Sequence, residues 1–418
     1  MINVTKSSWC LGILALLLAC TPAAGQDGAP LETVENRYRP ALDPAGIRLG
    51  GFRLSPSIGM EAHFTDNIFA DPSISDEDFI YILNPGASLE SDWSVHSLYL
   101  EAEAEIGRYD DNDSEDFDDF SLAAEGRLDI SRSSYLGADL AFQRTHEERT
   151  SAENARNADL TVYDMNRARV SFMRRPNRLY VRLDASIADI DFEDARAGNR
   201  IINNDDRNRQ ESTQSLDIGY EFKPGDTVYL RGAARSLDYE QEIDDDGFAR
   251  SGDGYEVVLG ASRSISGLSA ISVYAGYFLQ NFDDIRFDDF EGVSFGADLT
   301  WNVSNLITLN AAAARTIEPT SIFGASGVVA EYFELGLDYE LLRSLIVSAD
   351  FEIGKDVYEG IDRKDDVVGA GLGIKFMLNR NIYLYFGYDY SDREVEPRDF
   401  ADDIYTINAA FMRVQGQL

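Results

Sequence analysis

Cysteine is nearly absent: the 418 residues hold 2, Cys10 and Cys20, both close to the N-terminus. Histidine is almost as scarce, and His63, His96 and His146 lie well apart, so neither a zinc site nor a Ser/His/acid hydrolase finds a suitable spacing. The chain reads as no enzyme, and no cofactor or metal is implied. Basic charge is the third shortage. Lys and Arg number 37 against 74 Asp and Glu, a formal net charge of -37. With a pI near 4.3 there is no basic surplus to neutralise a nucleic-acid backbone, so nucleic acid is not a partner. Long apolar runs are missing too: beyond the N-terminus no stretch of about 18 apolar residues occurs, which excludes a helical membrane protein. Yet 44% hydrophobic and 11% aromatic residues are too many for a disordered acidic chain. What is left is a globular or barrel protein with an acidic surface.

Residues 1–25 read as a secretory signal. Lys6 supplies a positive start, Trp9 to Ala19 an apolar core, and Thr21-Pro22-Ala23-Ala24-Gly25 small residues for cleavage. Cleavage near Gly25 removes both cysteines, and with them any disulfide framework. Leu17-Leu18-Ala19-Cys20 also has the form of a lipobox, in which Cys20 is lipidated and becomes the new N-terminus. Either route exports the chain. Residues 26–49, rich in proline and mixed charge up to Gly46, read as a flexible periplasmic lead-in.

Residues 50–418 repeat one unit. Leu179-Tyr180-Val181-Arg182-Leu183-Asp184-Ala185-Ser186-Ile187 places apolar residues at every odd position, and Val293 to Trp301 and Phe333 to Tyr339 do the same. Period-2 alternation is the signature of a strand with one apolar face. About 18 such segments follow one another, beginning near Phe52, Phe79, Val95, Phe120, Tyr135, Val162, Leu179, Ser215, Val228, Tyr255, Ala270, Gly292, Leu306, Ala330, Leu345, Val367, Ile382 and Ile404.

The connections sort by length. Tight turns such as Ser131-Arg132-Ser133-Ser134, Arg175-Pro176-Asn177, Lys223-Pro224-Gly225-Asp226 and Ser266-Gly267 alternate with long, mostly acidic segments. The long set includes Asp66 to Asp78, Asp110 to Asp119, Glu147 to Asp159, Asp189 to Arg209, Glu240 to Asp253 and Lys355 to Asp366. A soluble sandwich has no reason for such sorting, whereas an outer-membrane barrel needs it, with short periplasmic turns and long extracellular loops. The fold class is therefore all-β: a transmembrane barrel of about 18 antiparallel strands in the outer membrane, in contact with its lipid and lipopolysaccharide. Aromatic residues near strand ends, among them Phe79, Tyr81, Tyr99, Tyr109, Phe117, Tyr135, Tyr180, Tyr383, Tyr385, Tyr388 and Tyr390, fit interfacial girdles.

Charges on a lipid face cost up to about 2–4 kcal/mol each at the midplane, so the polar phase faces inward. This names as lumen-lining Glu101, Glu103, Glu105, Arg127, Arg167, Arg169, Arg182, Asp184, Arg231, Arg235, Asp298, Asp338, Asp350 and Lys375. Both signs occur on neighbouring strands, so cross-strand ion pairs shape the wall. An interior this wide holds water unless a loop folds into it, and Asp189 to Arg209 is long enough to do so. The acidic runs at Asp110 to Asp116 and Asp244 to Gly247 lack the Gly and distal Glu of an EF-hand and read as solvated loops.

Leu54-Ser55-Pro56-Ser57-Ile58-Gly59, followed by Phe64-Thr65-Asp66-Asn67-Ile68-Phe69, resembles the opening strand of the putative beta-barrel porin 2 family. The resemblance implies a Gram-negative outer-membrane barrel that gives an exopolysaccharide or capsule-type polymer a passive exit, together with a periplasmic polysaccharide-export protein. The alternatives are a general diffusion porin for small polar solutes and a plugged structural or adhesive barrel. The last strand departs from the usual pattern. With Tyr405, Ile407, Ala409 and Phe411 outward, Arg413, Gln415 and Gln417 fall on the lipid side. That phase requires a bulge near Met412, or a strand ending at Phe411.

Overall fold

Alternation over 12 to 16 residues per segment makes each segment a strand that cannot hide its apolar face inside its own sheet. The computed structural model describes residues 31–418 apart from 74, 156–157 and 266–267. The expected signal sequence, Cys20 and the Ser266-Gly267 turn lie outside the described residues. The barrel strands are β1 Phe52–Thr65, β2 Asp78–Ser91, β3 Ser97–Tyr109, β4 Phe117–Ser131, β5 Ser134–His146 and β6 Val162–Arg174. They continue as β7 Leu179–Phe192, β8 Arg209–Lys223, β9 Asp226–Tyr239, β10 Gly252–Ile265, β11 Ser269–Phe282 and β12 Phe290–Ser304. The last six are β13 Ile307–Glu318, β14 Gly327–Leu342, β15 Leu345–Glu359, β16 Arg363–Met377, β17 Ile382–Glu396 and β18 Tyr405–Gln417.

Each strand pairs antiparallel with the next, and β1 pairs with β18 from Ser57↔Gln417 to Thr65↔Ala409, closing the sheet into an 18-strand barrel. Closure leaves no strand edge open. Short turns such as 132–133, 224–225, 305–306 and 343–344 gather at one rim. Gly225 shows what such a turn demands: its φ is +82°, and a Cβ there would lie 2.6 Å from the Ser264 carbonyl oxygen. At the other rim most connections are longer, including 66–77, 147–161, 193–208 and 240–251. The expected long loop from Lys355 to Asp366 is not one of them. β15 and β16 stay paired as far as Tyr358↔Arg363, so only 360–362 connect them. Acidic residues there had the look of a loop but sit on paired strands.

Outward and inward faces separate sharply. Leu259 on β10 is 66% exposed while its neighbour Val258 is 2% exposed. Inside, tyrosines lie over glycines of the adjacent strand: Tyr180 over Gly219, Tyr229 over Gly260 and Tyr274 over Gly296, where a Cβ would come within 2.2 to 2.3 Å of the ring. Tyr180 and Tyr229 pack with Met173 and Val258 into an apolar cluster inside the barrel, with Tyr135 and Tyr274 against it. This corrects the girdle expectation. Tyr135, Tyr180, Tyr383 and Tyr385 take part in clusters within the bore, whereas Phe79, Tyr81 and Tyr388 are the exposed ones.

The last strand is corrected as well. Arg413 donates to Glu61 at 2.7 Å and Phe411 stacks on fully buried His63, so Phe411 and Arg413 point inward. Tyr405, Ile407 and Ala409 are buried, and Met412, Val414 and Leu418 are exposed. The register against β1 and β17 runs without a shift, so no bulge is present. Reading Ile407 and Phe411 as lipid-facing because they are apolar reversed the phase.

The lead-in expected to be flexible packs in part. Val34 is fully buried among Ile346, Met377 and Tyr383. Its N–H donates to Thr308 Oγ1 at 2.9 Å, and Arg39 pairs with Glu340 at 2.8 Å. Residues 31–46 therefore sit inside the short-turn end of the barrel, against β12 to β17.

Candidate lumen and its strap

The bore is crossed by a strap. After β5 the chain does not stay at the rim: Glu147 and Glu148 turn inward, and residues 149–154 run to the opposite wall. Its root is held by Arg207, from the connection between β7 and β8, which grips Glu147 through two hydrogen bonds of 2.7 and 3.0 Å and reaches Glu153 at 3.1 Å. Arg149 makes a two-pronged contact with buried Glu115, both distances 2.7 Å. At the far side, Arg393 on β17 donates to the Thr150 carbonyl at 2.7 Å, and the Ser321 N–H donates to Glu153 at 2.7 Å. Ala152 packs on the cluster of Ala325, Val328 and Tyr358. Charge-assisted, two-pronged arginine contacts of this kind fix orientation as well as distance.

Electrostatics at the strap follow from these contacts. Burial raises the Glu153 carboxyl, but the Arg207 charge and the Ser321 N–H outweigh it and hold the group below the ordinary carboxylate range. Glu148 goes the other way. Burial raises it, and the negative charge of Asp119 adds to the shift, against the opposing influence of His146 and His63.

Beside the strap lies a cavity of about 660 Å³ bordered by Glu101, Glu103, Glu105, Arg167, Glu148 and Arg413. Of the residues named from sequence, the fold gathers Glu101, Glu103, Glu105 and Arg167 around this one space. Successive carboxylates on β3 stand about 7 Å apart along the strand, from the rise per residue. Glu101 accepts from the Tyr99 hydroxyl at 2.8 Å and Glu105 from Asn84 Nδ2 at 3.3 Å.

The other named residues are distributed around the wall. Arg169 and Arg182 share Asp184 at 2.6 and 2.7 Å. Arg231 grips buried Asp217, and Arg235 reaches Glu211 at 2.7 Å. Arg127 bonds Asp129 and covers the Tyr135 ring at 3.9 Å. Asp298 on β12 pairs in register with Ser272 and Ala312. Asp338 accepts from Ser348 Oγ, Asp350 lies over Gly371, and Lys375 stands over the Tyr383 and Tyr385 rings near the N-terminal segment. These groups brace the wall and do not converge on one point.

Sequence reasoning named Asp189 to Arg209 as the segment able to fold inward. The crossing segment is instead 147–154. The 193–208 connection forms a small hairpin, Ala195–Ala197 with Arg200–Ile202, and sends Arg207 to the strap. Glu147, Glu148, Arg149, Glu153, Arg207, Arg393, His63 and His146 were all missed. Mixed charge did not single this loop out: His146-Glu147-Glu148-Arg149 carries both signs, but so does 189–209, with Arg196, Arg200, Arg207 and Arg209.

Comparison with known proteins places this geometry in context. A family model described as putative beta-barrel porin 2 matches residues 39–415. None of the curated proteins compared matches the chain. Among solved structures, Pseudomonas aeruginosa OccK2 (OpdF) in complex with glucuronate is similar at 10% identity and a TM-score of 0.47, covering 88% of this chain and 98% of that one. Pseudomonas aeruginosa OpdO is similar at 12% identity and a TM-score of 0.46, covering 88% and 98%.

Proposed function

The chain belongs to the putative beta-barrel porin 2 family, a porin-like outer-membrane β-barrel channel, and from that premise we propose that it passes small hydrated polar solutes by diffusion. The strap carries this reading. A bore crossed by residues 147–154, fastened at Arg207 on one side and Arg393 on the other, confines passage to the space beside the strap, which suits small solutes crossing one at a time. No chemistry is needed: exchangeable hydrogen bonds from the wall carboxylates and arginines replace part of the solute's water.

Exit of an exopolysaccharide, implied by the family resemblance and served by a periplasmic export protein, is the second reading. The acidic long connections favour it, because like charge discourages retention of an anionic polymer at the mouth. It requires the strap to swing clear. Single-channel recording of the purified barrel in planar bilayers tests the first reading. Stable openings, together with sugar-driven swelling of liposomes carrying the protein, support it. Silence from folded protein would leave a plugged structural barrel. A deletion strain that loses secreted polysaccharide while sugar uptake stays normal would favour the polymer.

A further inference from the structure

A histidine and a carboxylate meet at the root of the strap. His146, the last residue of β5, directs Nδ1 to Asp119 Oδ2 at 2.9 Å, and its Nε2 lies 4.0 Å from Glu148 Oε1. A carboxylate only accepts, so the Nδ1 nitrogen carries the proton. In neutral imidazole Nε2 is then a lone pair facing a second carboxylate, and no bond can form between them. One added proton, on His146 or on Glu148, supplies the missing donor.

The neighbours sharpen this arrangement. His63 on β1 is fully buried, lies 3.4 Å from Glu61 and stacks on Phe411. The other titratable or charged groups around the root are Glu61 on β1, Glu105 and Tyr109 on β3, Asp119 on β4, Tyr163 on β6, Arg209 on β8 and Arg413 on β18, with Glu115, Glu147 and Arg149 from the connections. Arg149, Arg209 and Arg413 are held by Glu115, Glu211 and Glu61, and Glu147 by Arg207, so Glu105 and Asp119 set the local charge: an ionised Glu148 beside neutral His146 is repelled, while a protonated root is drawn in.

We propose that His146 and Glu148 form a pH-sensitive lock on the strap, which proton uptake tightens and proton loss loosens. The lock rests on the channel reading above, since it governs the same bore. Acidification fixes the strap root against β5 and narrows the passage. Alkalinisation leaves Glu148 charged among carboxylates and frees the root to move.

The test is single-channel conductance of the refolded, full-length mature barrel from pH 8 to 5.5, with folding checked by heat-modifiability on gels. Wild-type current is expected to fall at least about twofold on acidification. Glu148→Gln keeps a neutral, donating side chain and is expected to give low current at every pH. Glu148→Ala removes the contact and is expected to give high, pH-independent current. If the alanine variant does not fold, the glutamine variant alone decides. A flat wild-type profile with normal current overturns the lock and leaves the channel intact. So does a Glu148→Gln profile that still follows pH like wild type, or a current that rises on acidification. Absence of current at every pH overturns the channel reading, and the lock with it.

Discussion

Arg393 on β17 donates a 2.7 Å hydrogen bond to the backbone carbonyl of Thr150, so a segment that leaves the barrel wall at β5 is fastened to the wall on the far side. Together with the Ser321 N–H on Glu153 and the packing of Ala152 on Ala325, Val328 and Tyr358, that contact converts a surface loop into a partition of the bore. Arg393→Ala removes the fastening and leaves the Thr150 carbonyl to water. Larger and noisier single-channel currents are expected, while an unchanged current distribution would show that the remaining contacts hold the strap alone.

Arg207 is the heavier load. It is 7% exposed and neutralises Glu147 and Glu153 together. Arg207→Met strands two enclosed carboxylates, a loss of about 3–5 kcal/mol for breaking a buried pair. Urea unfolding of the refolded barrel measures it, and adding Glu147→Gln with Glu153→Gln is expected to restore much of the loss. Glu153 also sets an acid limit. Its carboxyl is held below the ordinary value, so its contribution is fully present above that ordinary value. It is lost as pH falls through its own lower one, so strap release is expected only in acid below the ordinary carboxylate range.

Gly219 lies under the Tyr180 ring, where a Cβ would come within 2.2 Å. Tyr180 itself is fully buried and cannot step aside. Gly219→Val is therefore expected to destabilise by about 1–3 kcal/mol or more through overpacking, read as a lower urea midpoint. Gly232, where a Cβ would meet nothing within 4 Å, is the control whose substitution to Ala is expected to cost far less.

Leu259→Arg places a charge on an outward position 66% exposed near the middle of β10. If that face meets hydrocarbon, the cost is about 2–4 kcal/mol and little folded protein accumulates in membranes. Normal folding yield in lipid would contradict the assigned midplane.

Val34→Asp tests the inner mouth. A charge among Ile346, Met377 and Tyr383 is expected to expel residues 31–46 from the bore. Protease added at the short-turn side would then trim them faster than in wild type, whereas equal trimming would mean the segment is not seated there.

The strand number was legible because alternation repeats on every segment, as in Leu179 to Ile187, and one apolar face per strand forces closure. Phase was read from charges, as with Glu101, Glu103 and Glu105, which border the cavity beside the strap. It failed on β18, where Ile407 and Phe411 face inward because His63 and neighbouring strands cover them. An apolar residue inside a wide barrel is indistinguishable in one dimension from an apolar residue facing lipid. The strap was invisible for a different reason: it depends on Arg207 and Arg393, which are remote in sequence and meet Glu147 and Thr150 only after closure.

The seam between β1 and β18 has its own consequence. The pairing stops at Ser57, while β1 continues back to Phe52. On that stretch Ile47–Leu49 turns back and pairs with Phe52 to Leu54, continuing the line that β18 leaves unfinished. First and last parts of the chain thus finish one another's edge, so neither end alone can complete the ring. Removing Ile47–Leu49, or the last few paired residues of β18, should open the same seam, and unzipping of the ring should begin there.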